Sequence, residues 1–407
     1  MVEIADRAAV GRASVKDAAG ARPLIAAASS DGDAFAPLTS VSSSQWRALA
    51  ERAIEPNGYY LPGWQLAVNA FASGRTGASA LLARSDAAPD GATRLIGLMP
   101  VISMARAYRI PLPALVSAHP YGTLCTPPFD RDMAHDAATR LLRAARQAGA
   151  HALILRDMSL DGATMKTLRE VLRREDLHPR VLQSHLRAFL DATREPEQLL
   201  HDALGAKKLK ELRRQRHRLA EQGAVRFDLA RAPEEVAAAL EIFLALEAGG
   251  WKGKRGTALI QDDGDARFVR RAAPALAETG QCEIVTLYAG GTPVAAGIVL
   301  RHQDRAFFFK LGIDERFAKF SPGVQLTLDL TRHLCADPAI ATADSTASAD
   351  HSMINPIWRG RFAIGDVLIP LRRHDPVAPL IHAAMMLRGS LRELARRAVH
   401  FVRERRA

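Results

Sequence analysis

Apolar positions along this chain fall into two successive series of similar order. In the first, Trp46, Leu49, Ala50, Ala53 and Ile54 recur at helical spacing behind a serine-rich start, and 55-EPNGYYLPGW-64 forces turns before a second helix over 64–71. Strands are predicted over 78–84, 93–104 and 115–117, then a helix over 131–148, a buried strand over 151–156, a helix over 164–174 and a strand over 181–190. The second series opens with an amphipathic helix at 233–247, with Pro233, Glu234 and Glu235 in its first turn, where a fixed φ and negative charge are both favoured. A helix at 265–278 follows. Three strands, 282–288, 294–301 and 306–313, are separated by 289-AGGTP-293 and 302-HQD-304 and read as an antiparallel meander. Beyond them 317-FAKFSPGVQLTLDLTRHLC-335 is a Pro/Gly loop entering a helix with Val324, Leu328, Thr331 and Leu334 on one face, and a strand near 340–343 closes the series.

Two such series in 407 residues, 48% hydrophobic and 24% charged, predict an α/β (α+β) protein of two tandem domains, each a mixed, mainly antiparallel sheet flanked by helices. Residues 1–38, rich in Ala, Ser, Gly and Asp without period, read as a disordered leader, and the domains as 39–195 and 196–372. Two basic amphipathic helices stand apart: 207-KKLKELRRQRHRL-219, with Leu209, Leu212 and Leu219 on a narrow apolar stripe, and an Arg-rich C-terminal helix over 376–407. The formal charge of +11 favours anionic partners: nucleotide cofactors, phospholipid surfaces, nucleic acid or acidic polymers.

Cys125, Cys282 and Cys335 are far apart with no CxxC spacing, which suggests a reducing compartment and neither a disulfide framework nor a zinc site. No apolar run approaches membrane-spanning length and no signal-peptide pattern opens the chain, so a cytoplasmic location is expected. No GxSxG elbow, P-loop or GxGxxG is present, and the spacing of His333, Cys335 and His351 matches no metal site, so no metal is expected.

The segments 247-EAGGWKGKRGTAL-259, 287-LYAGGTPVAAGIVL-300, 310-KLGIDERFAKFSPGVQL-326 and 344-DSTASADHSMINPIW-358 together resemble the GNAT superfamily, in its CelD-like branch (cellulose and exopolysaccharide biosynthesis) related to FemAB transferases. The resemblance covers about residues 40–370. It implies two GNAT-like domains, the first degenerate and walling the acceptor cleft through 119-HPYGTLCTPP-128, the second an acyltransferase using acetyl-CoA or another acyl-CoA as donor. The acceptor it implies is a sugar hydroxyl or amine on a polysaccharide precursor. Contact with anionic membrane through the basic helices, at the inner face, is a further expectation, and nucleic acid is not expected as a partner. An aminoacyl-tRNA-dependent FemAB-type transferase and a non-catalytic scaffold for exopolysaccharide assembly are the alternative readings.

A strand running into a Pro/Gly turn and then a helix presents unpaired N–H groups that bind a diphosphate, so Phe320, Ser321, Pro322, Gly323, Val324 and Gln325 are the candidate CoA-binding residues. Acyl transfer from a thioester needs a base for the acceptor, donors for the carbonyl and an acid for the thiolate. Glu247, Asp344 and His351 are the catalytic candidates. Trp251, Lys252, Lys310, Asp350 and Trp358 are candidates for binding substrate, with Lys310 sharing a strand face with Phe308 and Gly312.

Overall fold

The structure is a computed structural model describing residues 34–87, 91 and 93–404. Six strands come from the first half: β1 (Phe35–Pro37), β2 (Ser79–Arg84), β3 (Leu95–Ser103), β4 (Ala114–Ser117), β5 (Ala152–Ser159) and β6 (Arg180–Asp191). Six come from the second: β7 (Val225–Ala230), β8 (Cys282–Ala289), β9 (Thr292–His302), β10 (Arg305–Ile313), β11 (Thr342–Asp344) and β12 (Gly360–Pro370). The helices are α1 (Ser43–Glu51), α2 (Pro62–Phe71), α3 (Met104–Tyr108), α4 (Ala134–Gln147), α5 (Ala163–Arg174), α6 (Pro196–Ala220), α7 (Pro233–Gly249), α8 (Trp251–Lys254), α9 (Asp263–Ala277), α10 (Pro322–Ala336) and α11 (Val377–Glu404).

All twelve strands join one mixed sheet in the order β1-β2-β3-β4-β5-β12-β6-β11-β10-β9-β8-β7. The order reads alike from either edge: four strands paired antiparallel, a fifth added in parallel, then a closing strand. The parallel steps are β4 on β5, at Ala114–Val116 against Ala152–Ile154, and β10 on β11, at Arg305–Phe307 against Thr342–Asp344. The closing strands are exchanged. β12, from residues assigned by sequence to the C-terminal unit, lies between β5 and β6, while β6 of the N-terminal unit pairs with β11. The halves therefore share their central pair.

Alternation along the meander puts the two sides of the sheet into different cores. Ile284, Ile298 and Phe307 pack with Trp64, Phe243 and Phe268 of α2, α7 and α9, whereas Val285, Val299 and Phe308 pack with Leu209, Leu212, Leu326 and Leu330 of α6 and α10. Local sequence fixes the helix starts. Ser42 accepts from the Gln45 N–H and Asp262 from the Asp265 N–H as N-caps, and Glu235 takes the N–H groups of Arg231 and Ala232.

Strands β1, β7 and β12 are additions to the predicted elements. The predicted leader is too long, because Phe35–Pro37 pairs with Ser79–Leu81 and Leu38 is buried; residues 1–33 lie outside the described residues, as do 405–407 of the predicted C-terminal helix. Among the described residues no helix is long and apolar enough to cross a membrane.

Candidate active site

Strands β10 and β11 stay paired only as far as Phe307 and Asp344. Beyond that point β10 runs on to Ile313 while the other chain turns away through Ser345–Ser348, and the gap opens into a cavity of about 650 Å³ lined on those edges by Phe308–Leu311, Ile313 and Ser345–Ser348. A β-bulge between Phe308 and Lys310 shapes this edge. The extra residue breaks the period of two, so that Phe308, Phe309 and Lys310 all reach the cavity instead of alternating.

Behind that wall lies Glu247. Gly312 allows α7 to lie directly on β10, since a Cβ there would stand 2.9 Å from the Glu247 backbone nitrogen. The buried Glu247 carboxylate then accepts from Lys310 Nζ at 3.1 Å and Lys252 Nζ at 3.0 Å through one oxygen, and from the Leu259 N–H at 2.9 Å through the other. Burial pushes this carboxyl up, but the two ammonium groups and the Leu259 N–H outweigh it and hold it below its ordinary value. Glu247 is not in the cavity wall; the two lysines that it fixes are, beside half-exposed Trp251. One carboxylate between two ammonium groups leaves net positive charge on this side of a largely apolar cavity.

The C-terminal end of β10 leads through Asp314, whose carboxylate accepts the Arg316 N–H at 2.9 Å, into α10. Ser321 turns the chain at φ 55°, Pro322 occupies the first helical position, and Gln325 is where backbone N–H groups start returning to the helix, at Ser321 O, 3.0 Å. The N–H groups of Gly323 and Val324 thus stand at a helix N-terminus that lines the cavity. Gly323 is closely packed, since a Cβ would lie 3.0 Å from Leu311 Cδ2 and 3.2 Å from Ile313 Cγ2, and those side chains would have to give way.

The N-terminal half supplies the remaining wall: Tyr59, Tyr121, Gly122, Thr123, Asp157 and His185. Three of these belong to the segment 119–128 expected there. Trp64 Nε1 holds it by donating to Pro120 O at 2.7 Å, and the buried Arg187 donates to Thr123 O at 2.7 Å and Thr123 Oγ1 at 2.6 Å. In this half the gap beyond β4 and β5 is stitched shut by the same loop, through Cys125 N–H to Asp157 O at 3.1 Å and Ser159 N–H to Thr126 Oγ1 at 3.2 Å. Of the eight non-glycine residues with positive φ among the described residues, four line the cavity: Tyr121 at 59°, Asp157 at 45°, Ser321 at 55° and Thr346 at 52°. Such conformations cost roughly 1–3 kcal/mol each and persist where the surroundings enforce them, most often at functional sites.

The sequence-derived candidates divide accordingly. Ser321, Pro322, Gly323, Val324, Trp251, Lys252, Lys310 and His351 line the cavity. Phe320 and Gln325 turn inward, Phe320 into the core and Gln325 to donate to Leu212 O at 2.9 Å. Trp358 is fully buried, donating to Thr331 Oγ1 at 2.9 Å, and Asp350 is exposed outside the wall. Asp344 is also behind the wall, its Oδ1 3.2 Å from Arg187 Nε with both side chains wholly buried. His351 Nδ1 accepts the N–H groups of Met353 and Ile354, both at 3.3 Å, which leaves the proton of the neutral ring on Nε2 and makes that nitrogen a donor rather than a base. Asp157 and His185 were not read from the sequence, although Asp157 interrupts an apolar strand and so carries a signal.

Among the described residues no group of three His, Cys, Asp or Glu side chains converges as a metal site would. Residues 206–351 match a protein-family model described as an acetyltransferase (GNAT) domain. No curated protein matches the chain in sequence. Among solved structures the fold is similar to that of FemX, with a TM-score of 0.53 and 12% identity over 84% of this chain and 98% of that one. It is also similar to a conserved protein of unknown function from Bacteroides thetaiotaomicron VPI-5482, with a TM-score of 0.51 and 10% identity over 81% of this chain and 97% of that one. At these identities the likeness speaks for the fold alone. Residues 206–351 are thus similar to a GNAT-type acetyltransferase domain, set in a two-part sheet whose fold is similar to that of FemX.

Proposed function

We propose that this protein is an acyl-CoA-dependent N- or O-acyltransferase that moves an acetyl group to a sugar or polysaccharide-precursor acceptor. The observation that carries the reading is the β10–β11 gap, which joins a helix N-terminus and two oriented lysines in one cavity within the segment matching an acetyltransferase domain. In this reading the N–H groups of Gly323 and Val324, with the Ser321 hydroxyl, take the CoA diphosphate, as helix N-termini take anions generally. Lys310 and Lys252, held by Glu247, polarise the thioester carbonyl and oppose the negative charge that develops on its oxygen. The His351 Nε2–H is a second donor for the carbonyl or the departing thiolate. The acceptor enters along the N-terminal wall formed by Tyr121, Gly122, Thr123, Asp157 and His185.

We extend the proposal to peripheral contact with anionic membrane. Helix α11 exposes Leu380, Leu387, Leu391 and Leu394 at helical spacings beside Arg388 and Arg392, the pattern of a helix lying in a lipid interface.

Trp251 tests the donor site. Trp46, Trp64 and Trp358 are fully buried, whereas Trp251 is 36% exposed in the cavity wall. Acetyl-CoA is expected to change the tryptophan emission of the wild type and not that of Trp251→Phe; unchanged wild-type emission at saturating acetyl-CoA counts against the reading.

A further inference from the structure

Where the β10–β11 ladder ends, a side chain takes the place of a backbone group. Thr342 N–H donates to Asp304 O at 3.2 Å, and continuing that parallel register would bring Thr346 N–H to Phe308 O. Instead Asp344 Oδ1 accepts the Thr346 N–H at 2.8 Å, Thr346 turns the chain at φ 52°, and its hydroxyl donates to Phe308 O at 2.6 Å. One residue diverts the ladder, and the gap that becomes the cavity opens from it.

The diversion is locked from the N-terminal half. Thr123 Oγ1 donates to Thr346 O at 3.1 Å and accepts from Arg187 Nη1 at 2.6 Å, which uses its one proton and a lone pair. Arg187 Nη2 donates to Thr123 O at 2.7 Å, and Arg187 Nε lies 3.2 Å from the same Asp344 oxygen that accepts Thr346 N–H. Asp344, Thr346, Thr123 and Arg187 thus close a circuit, two residues from each half, with both charged side chains wholly buried. A β-branched residue at positive φ is an outlier that persists only where its surroundings over-determine it, and this circuit supplies that constraint.

We infer that Thr123 and Arg187 are positioning residues for the donor: through Thr346 they fix the divergence of β10 and β11, so that the N-terminal half sets the gap an acyl-CoA occupies. The inference rests on the acyl-transfer reading. With the diphosphate at Gly323 and Val324 and the thioester at Lys310 and Lys252, the arm that joins them crosses this gap. Without the circuit, Thr346 can leave its left-handed conformation and return its N–H to Phe308 O, which lengthens the ladder into the space of the arm. The segment 119–128 then serves the donor as well as the acceptor.

Calorimetric titration of the full chain with acetyl-CoA tests this, each protein being titrated well below its own melting transition. Thr123→Val and Thr346→Val keep shape and β-branching and delete one hydroxyl each; Thr123→Ser and Thr346→Ser keep the hydroxyl. Each valine variant should bind acetyl-CoA at least about tenfold more weakly than the wild type, and each serine variant within about threefold of it. Because both hydroxyls act in one circuit, the double valine variant should bind no more weakly than the weaker single one. Valine variants that keep wild-type affinity, whatever their melting temperatures, overturn the inference and leave the donor site standing. So do serine variants as weak as the valine ones, or losses that add in the double variant. Should Thr123→Val fail to fold, the Thr346 pair decides by the same criteria of affinity and rescue. Absence of acetyl-CoA binding by the wild type overturns the donor reading itself, and this inference with it.

Discussion

Glu247 Oε1 accepts a hydrogen bond from Lys310 Nζ at 3.1 Å, across the contact between α7 and β10 that Gly312 makes possible. The carboxylate is wholly buried and the ammonium largely so, at 17% exposure, so removing the anion strands charge that the fold cannot hydrate. Glu247→Gln is expected to lower stability by about 3 kcal/mol and to release both lysines from the cavity wall. The pH dependence has a definite sign. A carboxyl held below its ordinary value of 4.5 contributes stability that is present above that pH and lost as the pH falls through its lower folded value. Urea melts should therefore show the gap between wild type and Glu247→Gln closing at acid pH; a constant gap would mean that the pair contributes through packing alone.

Asp344 separates a structural from a chemical role. With Arg187 beside it at 3.2 Å and no exposed surface on either side chain, Asp344→Asn leaves a buried guanidinium without its counter-charge, and a loss of about 3–5 kcal/mol is expected in denaturant melts. A variant of wild-type stability that had lost activity would instead return Asp344 to the catalytic group.

His302 couples the halves and should make their union sensitive to acid. Its Nδ1 accepts the Asn57 N–H at 2.8 Å and its Nε2 donates to Ala50 O at 2.9 Å, which uses both nitrogens of a neutral ring. Burial lowers its pKa from 6.5 to about 4. The unfolded chain then binds a proton that the folded chain refuses, so stability falls between those two values, by up to about 3 kcal/mol. Melting temperatures of wild type and His302→Gln across this range give the check, the variant losing less.

The exposed stripe of α11 predicts sedimentation with vesicles that contain anionic phospholipid, weakened by salt and by Leu387→Glu with Leu391→Glu. Equal sedimentation with neutral vesicles, or a dimer that the same substitutions disperse, would assign the stripe to another surface.

Much of this architecture is legible in local pattern. The meander announces itself because its strands alternate between two buried faces and its turns carry Gly, Pro and Asp, and the helices announce themselves through their caps. β7 is an edge strand whose Val225, Phe227 and Leu229 alternate with Arg226 and Asp228 and pack on the core, so its period of two was present in the sequence, short and only half-buried. β12 is central, yet Gly365 and Asp366 interrupt it because Asp366 serves the bulge opposite Asp157. The helix start at Pro322 was readable because it is a local feature, whereas the approach of Lys252 to Lys310 depends on Glu247 bridging two separate segments. The roles of Glu247 and Asp344 were not readable, because burial behind the wall depends on Gly312 and Arg187, far away in sequence. Strict alternation puts Lys310 on a face with Phe308 and Gly312; a bulge that brings in Phe309 leaves no trace in a run of three phenylalanines.

The donor site is tested most directly by calorimetric titration of the full chain with acetyl-CoA at moderate salt, beside Ala318→Glu. Gly323 is unsuitable for this purpose, since any side chain there presses on Leu311 and Ile313, whereas Ala318 is exposed at the cavity wall and tolerates a carboxylate without repacking. The account predicts micromolar binding by the wild type and a loss of at least about tenfold in the variant, an anion having been placed beside the diphosphate. No binding by the wild type, or equal binding by both proteins, would contradict it.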